Sequence, residues 1–272
     1  MKTLLYRRGL MEPYELAAAA RHFRVTDTVV GIEWERDVVA RYRAVPYYDE
    51  VVRDLGAQGS TLINSQSEHS VVASFEWYNL LSDLTPKSWF RLHDVPKDGG
   101  PFVVKGAVNS KKEQWRTSMY AQTFSDAIRV AGVLQEDRYI ANQPVVVREY
   151  IPLVCLEESI GGLPFANEWR VFAYRGVLLA WGYYWSGAED ESKARARLSG
   201  EGLTVAREAA ARLADHVPFT AIDVAETVDG RWIVVEVNDG QMSGLSDVDP
   251  EELYSSLARA LANETHRRSA RG

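Results

Sequence analysis

Polar and apolar residues alternate along two runs toward the end of the chain, TAIDVAET and RWIVVEVND, separated by Asp229-Gly230. Period-two alternation predicts half-buried strands, and Asp-Gly between two such runs predicts a two-residue hairpin turn. NEWRVFAY and VLLAWGYYW, on either side of Arg175-Gly176, predict a second hairpin. GGPFVVKGAV (99–108) reads as a buried strand after a glycine turn, and QPVVVREYIPL (143–153) as a strand ending in a proline-bounded bend. Helical signals recur in EPYELAAAARHF, opened by Pro13, in YYDEVVRDLGA, stopped at Gly56, in SDAIRVAGVL, capped by Ser125, and in GLTVAREAAARLADHV. A last amphipathic helix, DPEELYSSLARALA, has Asp249 as N-cap and Pro250 in its first turn. MKTLLYRRG, TVVGIEW and STLINSQ are expected as strands, so residues 1–85 read as a small α/β lobe. Between these elements lie a polar, basic loop, NSKKEQWRTSM (109–119), and a charged, glycine-bounded insertion, SGAEDESKARARLSGEG (186–202). The insertion is either a disordered loop or a lid. Residues 265–272 are expected as a frayed basic tail.

Composition excludes several classes of function. The 272 residues suffice for one large domain or two to three small lobes, and 46% hydrophobic with 25% charged is an ordinary globular balance. A net charge of −7 argues against general nucleic-acid binding, which needs a basic surface. Cys155 is the only cysteine, so no intrachain disulfide forms, which suits a reducing compartment; it is expected to be buried and inert. No apolar run approaches ~18 residues, and the apolar core of MKTLLYRRGLMEPYEL is too short for a signal peptide. A cytoplasmic protein without membrane contact is expected. The five histidines lack zinc-ligand spacing, and the chain has no GxxxxGK[ST], GxGxxG or GxSxG motif.

The charged residues inside the strands carry the chemistry. Pairing Val228 with Arg231 across the turn makes paired positions sum to 459, which sets Asp223 opposite Glu236, with Asn238 two residues on along the same face. Opposed residues have Cβ atoms about 5 Å apart, so two carboxylates there repel. Two carboxylates and a carboxamide, with no base on that face, suit a hard cation such as Mg²⁺. The alternative is an acidic pair on a solvated face, or one neutralised by a distant Arg or Lys. Glu168 and Arg170 share a strand face; they suit a sugar hydroxyl and a phosphate, or belong to a cross-strand or same-face ion pair. Lys105 interrupts an apolar strand, which is costly unless it meets an anion or reaches water at a sheet edge. Lys111 and Lys112, with Asn109 and Ser110, form a loop that closes over phosphates or stays solvated. Arg148-Glu149-Tyr150-Ile151 ends a strand at a bend, where backbone groups could read an adenine edge.

Taken in order, a strand Lys, a strand-to-bend Glu-Tyr-Ile, a strand Glu-x-Arg and then Asp…Glu-x-Asn on a hairpin resemble the ATP-grasp superfamily. The likeness is greatest to the branch of ribosomal-protein glutamate ligases and D-alanine–D-alanine ligases, and covers about residues 86 to 245. The resemblance implies an α/β (α+β) ATP-grasp fold: an N-terminal lobe (1–85), a central ATP-binding lobe (86–150) and a C-terminal lobe with a metal site (151–264). It implies Mg²⁺, two ions with Mn²⁺ as a substitute, on Asp223, Glu236 and Asn238. It implies ATP phosphates on Lys105, on Lys87 after a Thr-Pro turn, and on Lys111 and Lys112. Glu149, Tyr150 and the Ile151 backbone would hold adenine, Glu168 the ribose and Arg170 the γ-phosphate, with Arg170 and Lys105 as the catalytic pair. The implied activity is a carboxylate–amine ligase working through an acylphosphate on an amino acid, a peptide or a protein terminus. Arg116, Gln241 and Ser243 are expected at the substrate because they lie beside these positions in the chain. Alternatives are a phosphotransferase on the same fold, a non-catalytic nucleotide-binding module, or a plain structural domain. Trp115 and Arg116 stand where a glycine-rich loop is usual, and DGQMSGLSD follows Asn238, so the relatives' substrates do not transfer.

Overall fold

The chain is described by a computed structural model over residues 1–42, 47–108, 110–138, 140–141, 143–159 and 162–269. β1 (Thr3–Tyr6), α1 (Pro13–His22), β2 (Arg24–Thr26), β3 (Val39–Arg41) and α2 (Tyr48–Gly56) form a parallel sheet of order β2-β1-β3 with its helices. TVVGIEW and STLINSQ are not strands: Val30 is 77% exposed, and Leu62 makes only an isolated bridge to Val38. The strand is instead the short VAR of β3, buried along its length, so apolar content pointed to the neighbouring loop. α3 (Gln66–Ala73) follows a capping box of Ser65 and Glu68, and α4 (Tyr78–Leu81) ends the segment.

β4 (Ser88–Trp89), β5 (Phe102–Gly106), α5 (Trp115–Ser118), β6 (Tyr120–Ala121), α6 (Phe124–Gln135) and β7 (Val145–Glu149) make the central unit, an antiparallel sheet of order β4-β7-β5-β6. Val130 and Leu134 of α6 pack on Val104 and Val147 of the sheet. The basic loop is partly helical, with a tight turn at Lys112–Gln114 leading into α5; Asn109 lies outside the described residues. α6 starts earlier than expected because Thr123, not Ser125, caps it: Thr123 Oγ1 accepts from Asp126 N, and Asp126 Oδ2 accepts from Thr123 N, both at 3.2 Å.

β8 (Cys155–Glu158) and β9 (Pro164–Ala166) form a separate hairpin, and Cys155 is exposed rather than buried. β10 (Glu168–Tyr174), β11 (Val177–Tyr183), α7 (Asp190–Arg195), α8 (Gly200–Leu213), β12 (Phe219–Glu226), β13 (Trp232–Asp239) and α9 (Pro250–Ser269) complete the chain. The insertion is thus ordered as α7 and the capped start of α8, and α9 continues into the expected tail. The large antiparallel sheet has the order β11-β10-β12-β13. One face (Phe172, Tyr174, Phe219, Ala221) packs against β1, α1 and α9, and the other (Val171, Ile222, Val224) against α8 with Phe75 and Trp77. Among the described residues no helix is long and apolar enough to cross a membrane.

Candidate functional site

Where the central sheet meets the large sheet, a cleft gathers Lys105 and Glu149 from β5 and β7, Tyr150 and Ile151 from the bend, Glu168 from β10 and Glu236 from β13. Lys112 and Ser110 close one side, and Val103, Met119, Leu163 and Ile233 supply apolar walls. β10 lies between β11 and β12, which pairs Arg170 with Asp223 and Glu168 with Ala225. Asp223 pairs with Glu236 as expected. The route to that register differs, however: the turn closes from Thr227 to Arg231, and an irregularity at Val235 restores the count.

The two opposed carboxylates, Asp223 and Glu236, each meet a cation. Arg170 Nε and a terminal nitrogen donate to the two Asp223 carboxylate oxygens at 2.8 Å each, and its other nitrogen donates to Gly244 O at 2.9 Å. The loop carrying Gly244 reaches Arg170 because residue 182, opposite Arg170, is glycine; a Cβ there would lie 2.3 Å from the Asp247–Val248 backbone. Lys105 Nζ donates to Glu236. Burial alone would raise the Glu236 carboxyl, but Lys105 and Lys112 outweigh it and hold the group below its usual value. Burial lowers Lys105, with Glu236 opposing. Glu168 has no such single partner: burial, Asp223 and Glu236 push it up to about 7 against Lys112 and Arg170. The hairpin carboxylates are therefore neutralised by Arg170 and Lys105, two of the residues expected at the phosphates. Breaking either pair would strand a buried charge, typically at a cost of about 3–5 kcal/mol.

The other expected residues divide. Lys111 pairs with Asp137 at 2.5 Å. Lys87 sits outside the cleft, on the far side of Pro86, 5.5 Å from the centre of the Trp89 ring. Arg116 is exposed, its guanidinium packed where Gly162 has no Cβ. Gln241 is fully buried; it accepts from Ala40 N at 3.0 Å and donates to Tyr48 Oη at 2.8 Å, so the substrate contact expected of it is not what the fold provides. Ser243 is buried and donates to Asp239 O at 2.9 Å, which likewise withdraws it from the cleft. Both miss for the same reason: after Asn238 the chain turns into the N-terminal lobe.

The side chains of Arg148, Tyr184 and Trp185 were not among the expected site residues. Arg148 lines the cleft and donates to Val235 O at 2.6 Å and to Thr85 Oγ1 at 2.7 Å. Its signal was the one that revealed Lys105, a charge inside an apolar strand. Lys112 Nζ bonds Tyr184 Oη and lies 4.3 and 5.0 Å from the Tyr184 and Trp185 ring centres. No sequence signal joined a loop lysine to that strand end.

The donor set fits a hard divalent cation. Asp223, Glu236 and Asn238 offer only oxygen, and an ion there would take over the carboxylates now held by Arg170 and Lys105. Among the described residues no three His, Cys, Asp or Glu side chains converge on one point, so the third protein donor would be the Asn238 carboxamide.

Comparison with known proteins identifies the fold that carries this cleft. Residues 93–257 match the family of ATP-grasp domains, R2K clade family 3. No curated protein matches the chain. D-cycloserine synthetase DcsG superposes with a TM-score of 0.56 at 14% identity, covering 96% of this chain and 100% of its own. A RimK-domain ATP-grasp protein from Sphaerobacter thermophilus DSM 20745 gives 0.55 at 16%, covering 94% and 98%. The ATP-grasp ligase PsnB, complexed with a phosphomimetic variant of its minimal precursor, Mg and ADP, gives 0.54 at 15%, covering 97% of both chains. At these identities the shared property is the fold.

Proposed function

The chain belongs to the ATP-grasp superfamily of nucleotide-binding ligases, in family 3 of its R2K clade, and from that premise we propose that it is an ATP- and Mg²⁺-dependent carboxylate–amine ligase. The observation that carries this reading is the single cleft holding Lys105, Lys112, the Glu149–Ile151 bend, Glu168 and Glu236 together. The apolar walls and the bend would take adenine, and Glu168 the ribose hydroxyls. Lys105, Lys112 and Arg148 would neutralise phosphate charge as it redistributes, which is the main work of phosphoryl transfer. Arg170 would exchange Asp223 for the oxygens of the transferring phosphoryl group, and then hold the resulting acylphosphate for attack by an amine. Asp223, Glu236 and Asn238 would hold Mg²⁺, which supplies charge neutralisation between phosphates when bound. Lys112 and α5 close the cleft over its contents and keep out the water that would hydrolyse an acylphosphate. The carboxylate and amine belong to an amino acid, a peptide or a protein terminus; PsnB, with its bound precursor, lends support to the larger choices.

Calorimetric titration with a non-hydrolysable ATP analogue, with and without Mg²⁺, tests the reading. We expect binding that Mg²⁺ strengthens and that Asp223→Asn/Glu236→Gln no longer strengthens. Absence of nucleotide binding under any metal condition would overturn it.

A further inference from the structure

The strands that carry Asp223, Glu236 and Asn238 are tied together from behind by a residue outside the matched family segment. Asn64, in the turn before α3, is fully buried. Its carboxamide nitrogen donates to Phe219 O and to Asp239 Oδ1, and its oxygen accepts from Phe219 N, all at 2.8 Å. Phe219 is the first residue of β12 and Asp239 the last of β13, so one side chain bridges the open end of that strand pair. Asp239, 2% exposed, also accepts from Gln241 N at 2.8 Å and from His69 Nδ1 at 2.9 Å. The His69 ring is itself fixed, stacked on Tyr48 with ring centres 4.0 Å apart and planes within 11°. Along β13 the side chain of Asp239 alternates with that of Asn238. Every hydrogen bond that anchors Asp239 from behind therefore also holds Asn238, the residue before it, on the strand face it shares with Glu236.

We propose that Asn64 and His69 are positioning residues of the metal site: through Asp239 they fix Asn238, and the strand end that bears it, for the cation bound with nucleotide. This inference rests on the reading of Asp223, Glu236 and Asn238 as metal donors. Groups that orient ligands in this way commonly change metal affinity by about 10–100-fold when removed. A merely structural role would instead lower thermal stability and leave the metal dependence of binding alone.

The test uses the full chain and measures two affinities by calorimetry. One is for the ATP analogue without metal; the other is for Mn²⁺ added to the protein–analogue complex. Asn64→Ala and His69→Ala are each expected to weaken Mn²⁺ binding about tenfold or more while metal-free analogue affinity stays within about twofold. His69→Asn, which keeps a donor near the position of Nδ1, is expected to recover most of the loss. If Asn64→Ala does not fold, the two His69 variants decide alone. Mn²⁺ affinity unchanged in the variants, or weakened only in proportion to the metal-free affinity, would overturn the inference while leaving the ligase reading intact. Failure of the unaltered protein to bind Mn²⁺ with nucleotide would sink both.

Discussion

Glu168 is the residue at which the site's charges conflict most openly. It is 3% exposed and faces Asp223 and Glu236 as well as Lys112 and Arg170. Because burial and its acidic neighbours raise its carboxyl to about 7, the folded protein binds this proton more tightly than the unfolded chain. The stabilising effect is complete below the ordinary glutamate value and is lost as pH rises through about 7. Glu168→Gln should therefore melt higher than the unaltered protein at pH ~8, with the difference shrinking toward pH ~4.5. A melting series across that range checks this; an equal offset at both ends would refute it. Such a cost is expected where function, not stability, fixes a residue. Lys105 was legible as a charge inside an apolar strand, and Glu168 as an acid sharing a strand face with Arg170. Gln241 and Ser243 were not, since nearness in sequence to Asn238 says nothing about which way the chain turns next.

Among the elements, the hairpin of β12 and β13 shows how a correct pairing can rest on an incorrect turn. A two-residue Asp229-Gly230 turn gives one constant register. The structure has instead a three-residue loop, with Gly230 at φ 85°, followed by an extra residue at Val235. The extra residue lets Asp223 meet Glu236 and also turns the Val235 carbonyl to Arg148 at 2.6 Å. Alternation reveals which residues share a face, but a bulge leaves no mark in it. Helix boundaries failed in a similar way. TFSD offers Thr123 or Ser125 as cap, and only the reciprocal bonds with Asp126 choose between them. Thr123→Ala should thus cost about 1 kcal/mol, read as a fall in melting temperature, while Ser125→Ala should stay within about 0.5 kcal/mol. Neither should alter nucleotide affinity, because α6 backs the central sheet on the side away from the cleft.

Across the whole molecule, residues 1–85 read as a separate lobe, yet their side chains complete both faces of the large sheet. Leu4, Ala19 and Phe23 cover Phe172, Tyr174 and Phe219 on one face, and Phe75 and Trp77, 1% and 0% exposed, join Leu213, Ile222 and Val224 on the other. Sequence patterns reveal which face of a strand is apolar, but not which distant segment will cover it. The aromatic pair also underlies the site, since the Arg148 guanidinium lies 5.5 Å and the Lys105 ammonium 5.9 Å from the centre of the Phe75 ring. A chain starting at residue 86 would expose these apolar faces to water and lose the floor beneath two of the cleft's cations. We expect residues 86–272 expressed alone to bind a hydrophobic dye strongly and to exchange the amides of β12 and β13 far faster than the full chain does. Mg²⁺-dependent nucleotide binding should be lost with them. A fragment whose β12 and β13 amides were as protected as in the full chain would show that the large sheet closes its core without the first lobe, and that the packing across residue 85 is incidental to the site.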